Sequence, residues 1–314
     1  MSTALISHPS GLAHVTPPGH PERVDRLKAI QAALAAPEFD TLERISAPRA
    51  DDAALTLCHP QRYIDRVEAA APDSGWSSLD GDTHVVKASA DAARHTAGGV
   101  VAAVDRVLDG ENPNAFCAGR PPGHHAERET AMGFCLFGNV AIAAKHALEN
   151  RGLSRVAIVD FDVHHGNGTQ DLIWDEERVF FASSHQMPLY PGSGGPKERG
   201  AHGQIVNVAL APGAGGEAFR HVYDNVILRQ LEEYLPDLIL VSAGFDAHSA
   251  DPLADIRLGE DDFAWVTERI CDVADRVCQG RVVSTLEGGY DLDALAASTA
   301  AHVSVLMRRG AATP

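Results

Sequence analysis

The chain has 314 residues, 45% of them hydrophobic, and its 26 Lys and Arg against 43 Asp and Glu give a formal charge of −17. That length can bury a sizeable core, and the acidic excess disfavours a phosphate backbone while favouring cationic ligands. The five cysteines form no Cys-x-x-Cys pair, residues 1–8 lack a basic-then-apolar leader, and no apolar run reaches membrane-spanning length, so a cytoplasmic protein that engages neither membrane nor nucleic acid is expected. Apolar runs predict strands at 3–6, 114–118, 156–159, 179–182, 205–209, 238–241 and 281–286. Helical periodicity predicts helices at 21–35, 88–108, 139–150, 217–234, 261–277 and 291–307. Gly98 and Gly99 fall inside the second of these, where close packing explains them better than a break. The alternation implies a mainly parallel sheet covered on both faces, and no linker or repeat divides residues 1–314, so one α/β domain is expected.

Polar clusters follow four of the apolar runs. In Val156-Ala-Ile-Val-Asp-Phe-Asp-Val-His-His-Gly-Asn-Gly-Thr-Gln170, the residues Asp160, Asp162 and His164 alternate with Phe161 and Val163. If the strand continues that far, all three point to one face. Carboxylate with imidazole is hard-to-borderline ligation, suited to zinc or a neighbouring metal. Arg120-Pro-Pro-Gly-His-His125 presents two adjacent histidines on a stiff loop, Ser242-Ala-Gly-Phe-Asp-Ala-His248 offers Asp246, and Leu286-Glu-Gly-Gly-Tyr-Asp291 carries a tyrosine behind two glycines. The carboxyl ends of strands in an open α/β sheet are where the ligand crevice lies.

With His20-Pro-Glu-Arg23, Gly133-Phe-Cys-Leu-Phe-Gly-Asn139, Tyr190-Pro-Gly-Ser-Gly194 and Asp251-Pro-Leu253, these motifs span nearly the whole chain. In order and spacing the sequence resembles the zinc-dependent histone deacetylase and acetylpolyamine amidohydrolase superfamily, in its class II-like branch. The resemblance implies a three-layer α/β/α deacetylase/arginase-like fold and one zinc held by Asp162, His164 and Asp246. It also implies that His124 and His125 flank the attacking water, supported by Asp160 and Asn167 respectively. A carboxylate partner favours imidazolium on His124, while an amide leaves His125 nearer an ordinary imidazole, so His125 is assigned as general base and then general acid. Tyr290 is the expected oxyanion donor. Gly133, Phe134, Tyr190, Leu253, Gly288, Gly289 and the rim residue Asp82 are the expected substrate contacts, and Arg23 the arginine beneath the double glycine. Potassium is expected at Asp160, Asp162, His164, Ser183 and Ser184. His59, His84, His95, His185, His202 and His221 are expected to be structural.

The activity so implied is removal of acetyl or another short acyl group from an amine. An acyl-lysine or small acylamine is favoured over an acetylpolyamine because polyamine-selective relatives place glutamate where this chain has Leu253. An arginase-type site with two metals does not suit Asn167 and Tyr290, and a non-enzymatic acyl-lysine reader would not need every catalytic position filled.

Overall fold

A computed structural model of the protein describes residues 1–312. The strands are β1 (Ala4–Ser7), β2 (Glu43–Ser46), β3 (Ser77–Ser78), β4 (His84–Val85), β5 (Asn114–Cys117), β6 (Val156–Asp160), β7 (Val179–Gln186), β8 (Ile205–Leu210), β9 (Leu238–Ala243) and β10 (Val282–Leu286). Eight of them form one sheet in the order β2-β1-β5-β10-β9-β6-β7-β8, parallel at every pairing, while β3 and β4 make a separate antiparallel pair.

Successive residues of the central strands enter different cores, which is why those strands read as unbroken apolar runs. Val156 and Ile158 of β6 pack with Leu238 and Leu240 of β9 on one face, under the helices Ser89–Leu108 and Asn139–Glu149. Ala157 and Val159 pack with Ile239 and Val241 on the other, beneath Val24–Ala33, Glu260–Val277 and Leu292–Ala312. The expected three-layer α/β/α arrangement is therefore present.

Some boundaries differ from the sequence reading. Strand β2 was not anticipated, because Glu-Arg-Ile-Ser offers one apolar residue at an edge. The short helices Asp52–Leu55 and Gln61–Ala69 also lie in a stretch that gave no prediction. The helix expected at 217–234 is interrupted by a π-helical segment, Tyr223–Ile227. At Gly98 a Cβ would sit 2.2 Å from the Pro48 carbonyl oxygen and 2.6 Å from Ala50 N. The helix runs on unbroken, and the close neighbour is the 48–50 backbone. Among the described residues no helix is long and apolar enough to cross a membrane, and all five cysteines are free and buried.

Candidate metal and catalytic site

Strand β6 ends at Asp160, one residue past the predicted end, so alternation along a strand is not what aligns Asp160, Asp162 and His164. The residues converge by a turn instead: Asp162 N donates to Asp160 Oδ1 (3.1 Å), His164 N to Asp162 Oδ1 (2.9 Å) and Val163 N to Asp246 Oδ1 (2.8 Å). The turn brings Asp162, His164 and Asp246, all buried, to within 4.8 Å of one another through one ligand atom each. Burial and the neighbouring Asp162 push the Asp246 carboxyl up to about 7. Burial lowers the His164 pKa, but the two carboxylates outweigh it and raise the ring to about 10. Two buried acids and an imidazole meeting at one point suit a divalent cation of hard-to-borderline character. Glycine is required beside them, since a Cβ would come within 2.0 Å of Asp162 Oδ2 at Gly244 and within 2.2 Å of Asp246 Oδ2 at Gly288.

The loop after β5 carries His124 and His125, whose ring centroids are 4.0 Å apart. His124 Nδ1 lies 3.0 Å from Asp160 Oδ2, and His125 Nδ1 lies 2.7 Å from Asn167 Oδ1, the two pairings expected. For His124, burial opposes the charge, yet Asp162 and Asp160 hold its pKa well above the ordinary value. His125 is moved further than an unperturbed ring: burial first, then the His124 and His164 charges, hold it well below. Glu287, fully buried, fastens this loop by accepting from Gly123 N (2.7 Å) and His124 N (3.1 Å), with its other oxygen taking the Ser242 hydroxyl at 3.0 Å.

A second buried carboxylate, Glu22, was not anticipated. It accepts two bonds from Arg120, one of them 2.7 Å, and one from Arg26 at 3.1 Å, with His14 Nε2 at 3.5 Å. The same Arg26 donates to the carbonyls of Gly289 (2.6 Å) and Glu287 and lies 4.9 Å over the Tyr290 ring. This corrects the assignment of Arg23, which is half exposed and, among the described residues, pairs with Asp25 alone. The correct residue lies one helical turn past Glu22, on the side of the helix facing the core, and the i,i+4 Glu–Arg spacing was the available signal. Tyr290 N is held by Asp251 Oδ2 at 2.7 Å. Burial keeps the phenol pKa well above its ordinary value, so the hydroxyl remains a donor.

Above these groups lies a cavity of about 240 Å³. Asp82, Gly133, Phe134, Tyr190 and Leu253 line it as expected, with His125, His164 and Tyr290, and Leu189 adds an apolar contact that was not foreseen. Gly288 and Gly289 do not line it. Gly288 N donates to Asp162 Oδ2 at 2.8 Å, behind the candidate ligands, while the Gly289 carbonyl accepts from Arg26. Gly133, at φ +54°, must be glycine because a Cβ would lie 2.4 Å from the His125 ring. Ser183 is the register partner of Asp160, and its hydroxyl meets His185 Nδ1 at 2.9 Å, while Ser184 meets the Tyr223 hydroxyl at 3.1 Å. His59 bonds Gly138 N, His95 the Ala47 carbonyl and His185 the Gly194 carbonyl, in keeping with structural roles.

Residues 20–306 match the histone deacetylase domain. A histone deacetylase-like amidohydrolase of Pseudomonas aeruginosa is 39% identical over 289 residues, covering 91% of this chain and 74% of that protein. A probable deacetylase of Archaeoglobus fulgidus is 38% identical over 299 residues, covering 93% of this chain and 82% of that protein. Among solved structures, the HD domain of HDA15 superposes with a TM-score of 0.93 at 34% identity, covering 98% of this chain and 89% of that one. The chain belongs to the histone deacetylase family, and it is a hydrolase of that family.

Proposed function

We propose that the protein is a zinc-dependent amidohydrolase that removes acetyl or another short acyl group from the ε-amine of acyl-lysine. The observation that carries this reading is the pair of adjacent buried imidazoles with unlike partners, Asp160 and Asn167, beneath a cavity that Tyr290 also lines. A zinc ion held by Asp162, His164 and Asp246 would polarise the amide carbonyl and lower the pKa of a bound water.

The rest falls to the chain's own groups. His125, neutral and lining the cavity, takes a proton from the attacking water at Nε2 and returns it to the leaving amine. His124, kept cationic by Asp162 and Asp160, adds positive charge without exchanging its proton. Tyr290 donates its hydroxyl to the oxygen that gains charge as the carbonyl carbon becomes tetrahedral. Phe134 and Tyr190 flank the aliphatic stem, and Asp82 at the mouth accepts from the substrate backbone. Leu253 gives the mouth an apolar contact, which favours acetyl-lysine over a polyamine whose secondary ammonium would be buried there unpaired. Potassium held by backbone oxygens of Asp160, Asp162 and His164 with Ser183 and Ser184 belongs to the same reading, supported by the register of Asp160 and Ser183.

The test is a deacylation screen of the metal-defined protein against acyl-lysine peptides of several chain lengths and acetylated polyamines, with elemental analysis. One zinc per chain and turnover of acetyl-lysine are expected. Turnover of none of these substrates, or full zinc content and activity in Asp246→Ala, would end the reading.

A further inference from the structure

The two histidines differ in how their tautomers are fixed. Asp160 can only accept, so His124 Nδ1 must carry a proton. Asn167 has no such constraint, because its amide has a donor end and an acceptor end, and its terminal torsion is roughly two-fold. Rotated by half a turn, it would point Nδ2 at His125 Nδ1. The proton would then sit on Nε2, and the base would be lost.

What sets the amide is on the other side of it. Asn167 Nδ2 lies 2.8 Å from Glu127 Oε1 and 3.3 Å from Met132 Sδ, and both of those atoms only accept. Their acceptor character turns Oδ1 toward His125, at 2.7 Å. The loop that carries Glu127 is itself fixed: Glu127 N donates to the Thr130 carbonyl at 3.0 Å, Arg128 N donates to Asp171 Oδ2 at 2.8 Å, and the Arg128 carbonyl lies 3.1 Å from His59 Nδ1. Asn167 is buried and Glu127 only partly so, which leaves the bond short and shielded at the end that matters.

We propose that Glu127 is a positioning residue that acts through Asn167 to hold His125 in the tautomer with a free Nε2. The proposal rests on the reading of His125 as the base. It predicts a reversal: a donor-only group at 127 turns the amide around, and an acceptor-only group at 167 makes residue 127 irrelevant.

The zinc-loaded protein is assayed on an uncharged acetyl-lysine peptide. Glu127→Lys should lower kcat roughly 10- to 100-fold, the scale of one charged hydrogen bond, with KM little changed. Glu127→Asp, still acceptor-only, should lose less. Adding Asn167→Asp to Glu127→Lys should restore most of the kcat, because the carboxylate accepts from both neighbours. Side-chain ¹⁵N NMR reads the state independently of turnover: His125 should be protonated at Nδ1 in the wild type and in the double variant, and at Nε2 in Glu127→Lys. An unchanged His125 tautomer in Glu127→Lys, or a loss of kcat that Asn167→Asp does not repair, overturns the proposal. Wild-type turnover in His125→Ala would remove the base assignment instead, and the NMR comparison would then decide the role of Glu127.

Discussion

Glu22→Gln should destabilise the protein far more than its size suggests. The wild-type carboxylate is fully buried and is the one acid shared by Arg26 and Arg120, both also fully buried. Glutamine keeps one acceptor, but its amide turns a donor toward a guanidinium donor and leaves two buried cations without the counter-charge they share. Breaking a buried pair on one side costs about 3–5 kcal/mol. The low end applies here, because Arg120 still reaches the carbonyls of Gly11 and His14, and Arg26 those of Gly289 and Glu287. With an unfolding entropy near 2.1 cal/mol/K per residue, about 0.66 kcal/mol/K for this chain, a cost of about 3 kcal/mol should lower Tm by roughly 5 °C. Differential scanning calorimetry of both zinc-loaded proteins at neutral pH measures it. The difference also has a pH signature. Burial raises the Glu22 pKa, but Arg120 and His14 outweigh it and hold the group well below its ordinary value of 4.5. Its contribution is therefore complete above that value and fades as the pH falls further toward the folded-state value. Both proteins lose their metal ligands alike in acid, so the gap in Tm isolates Glu22 and should narrow only below pH 4.5. A Glu22→Gln variant within about 2 °C of the wild type at neutral pH would refute the view of this cluster as one charge-balanced unit.

Tyr290→Phe should lose about 100-fold or more in kcat with little change in substrate affinity, since an oxyanion donor acts in the transition state; near-normal kcat in the folded, zinc-loaded variant would exclude the residue from the chemistry. His125→Ala should cost more in kcat/KM than His124→Ala, because the ring paired with neutral Asn167 moves the proton; equal losses would show that the roles are not divided. Leu253→Glu should raise kcat/KM for acetylspermidine relative to acetyl-lysine by roughly 5- to 150-fold, the value of one partly desolvated charged bond. A substrate ratio that does not move, or a wild type that already prefers the polyamine, would contradict the apolar mouth.

The central sheet was legible in the sequence because strands covered on both faces are apolar at every position, as Val156 to Val159 are. Strand β2 and the helices between residues 52 and 69 were not, because an edge strand and short amphipathic turns owe their form to what they pack against. At the site, the candidate ligand set and the two histidine pairings came from the resemblance to the family. The geometry that joins them did not. Beyond the strand, Asp162 and His164 are placed by a turn held by side-chain acceptors, and it is Arg26 rather than Arg23 that faces inward. Glu127 illustrates the same difficulty: it stands 40 residues from Asn167 in the chain, and nothing in its own neighbourhood signals that the two meet.

Strand order and chain order part company in this sheet, with β10, nearly the last segment in the sequence, lying between β5 and β9 near the middle. On a ribosome the wall with His125 and the turn with His164 emerge long before the strand that separates β5 from β9. A nascent chain that has passed Asp246 owns all three candidate ligands yet lacks Tyr290 and the Glu287 that fastens the histidine loop. Completion of the candidate ligand set and completion of the site around it are thus two different events in the birth of the molecule. The second waits for a strand that must be admitted into the centre of the sheet, with the Leu292–Ala312 helix closing over it.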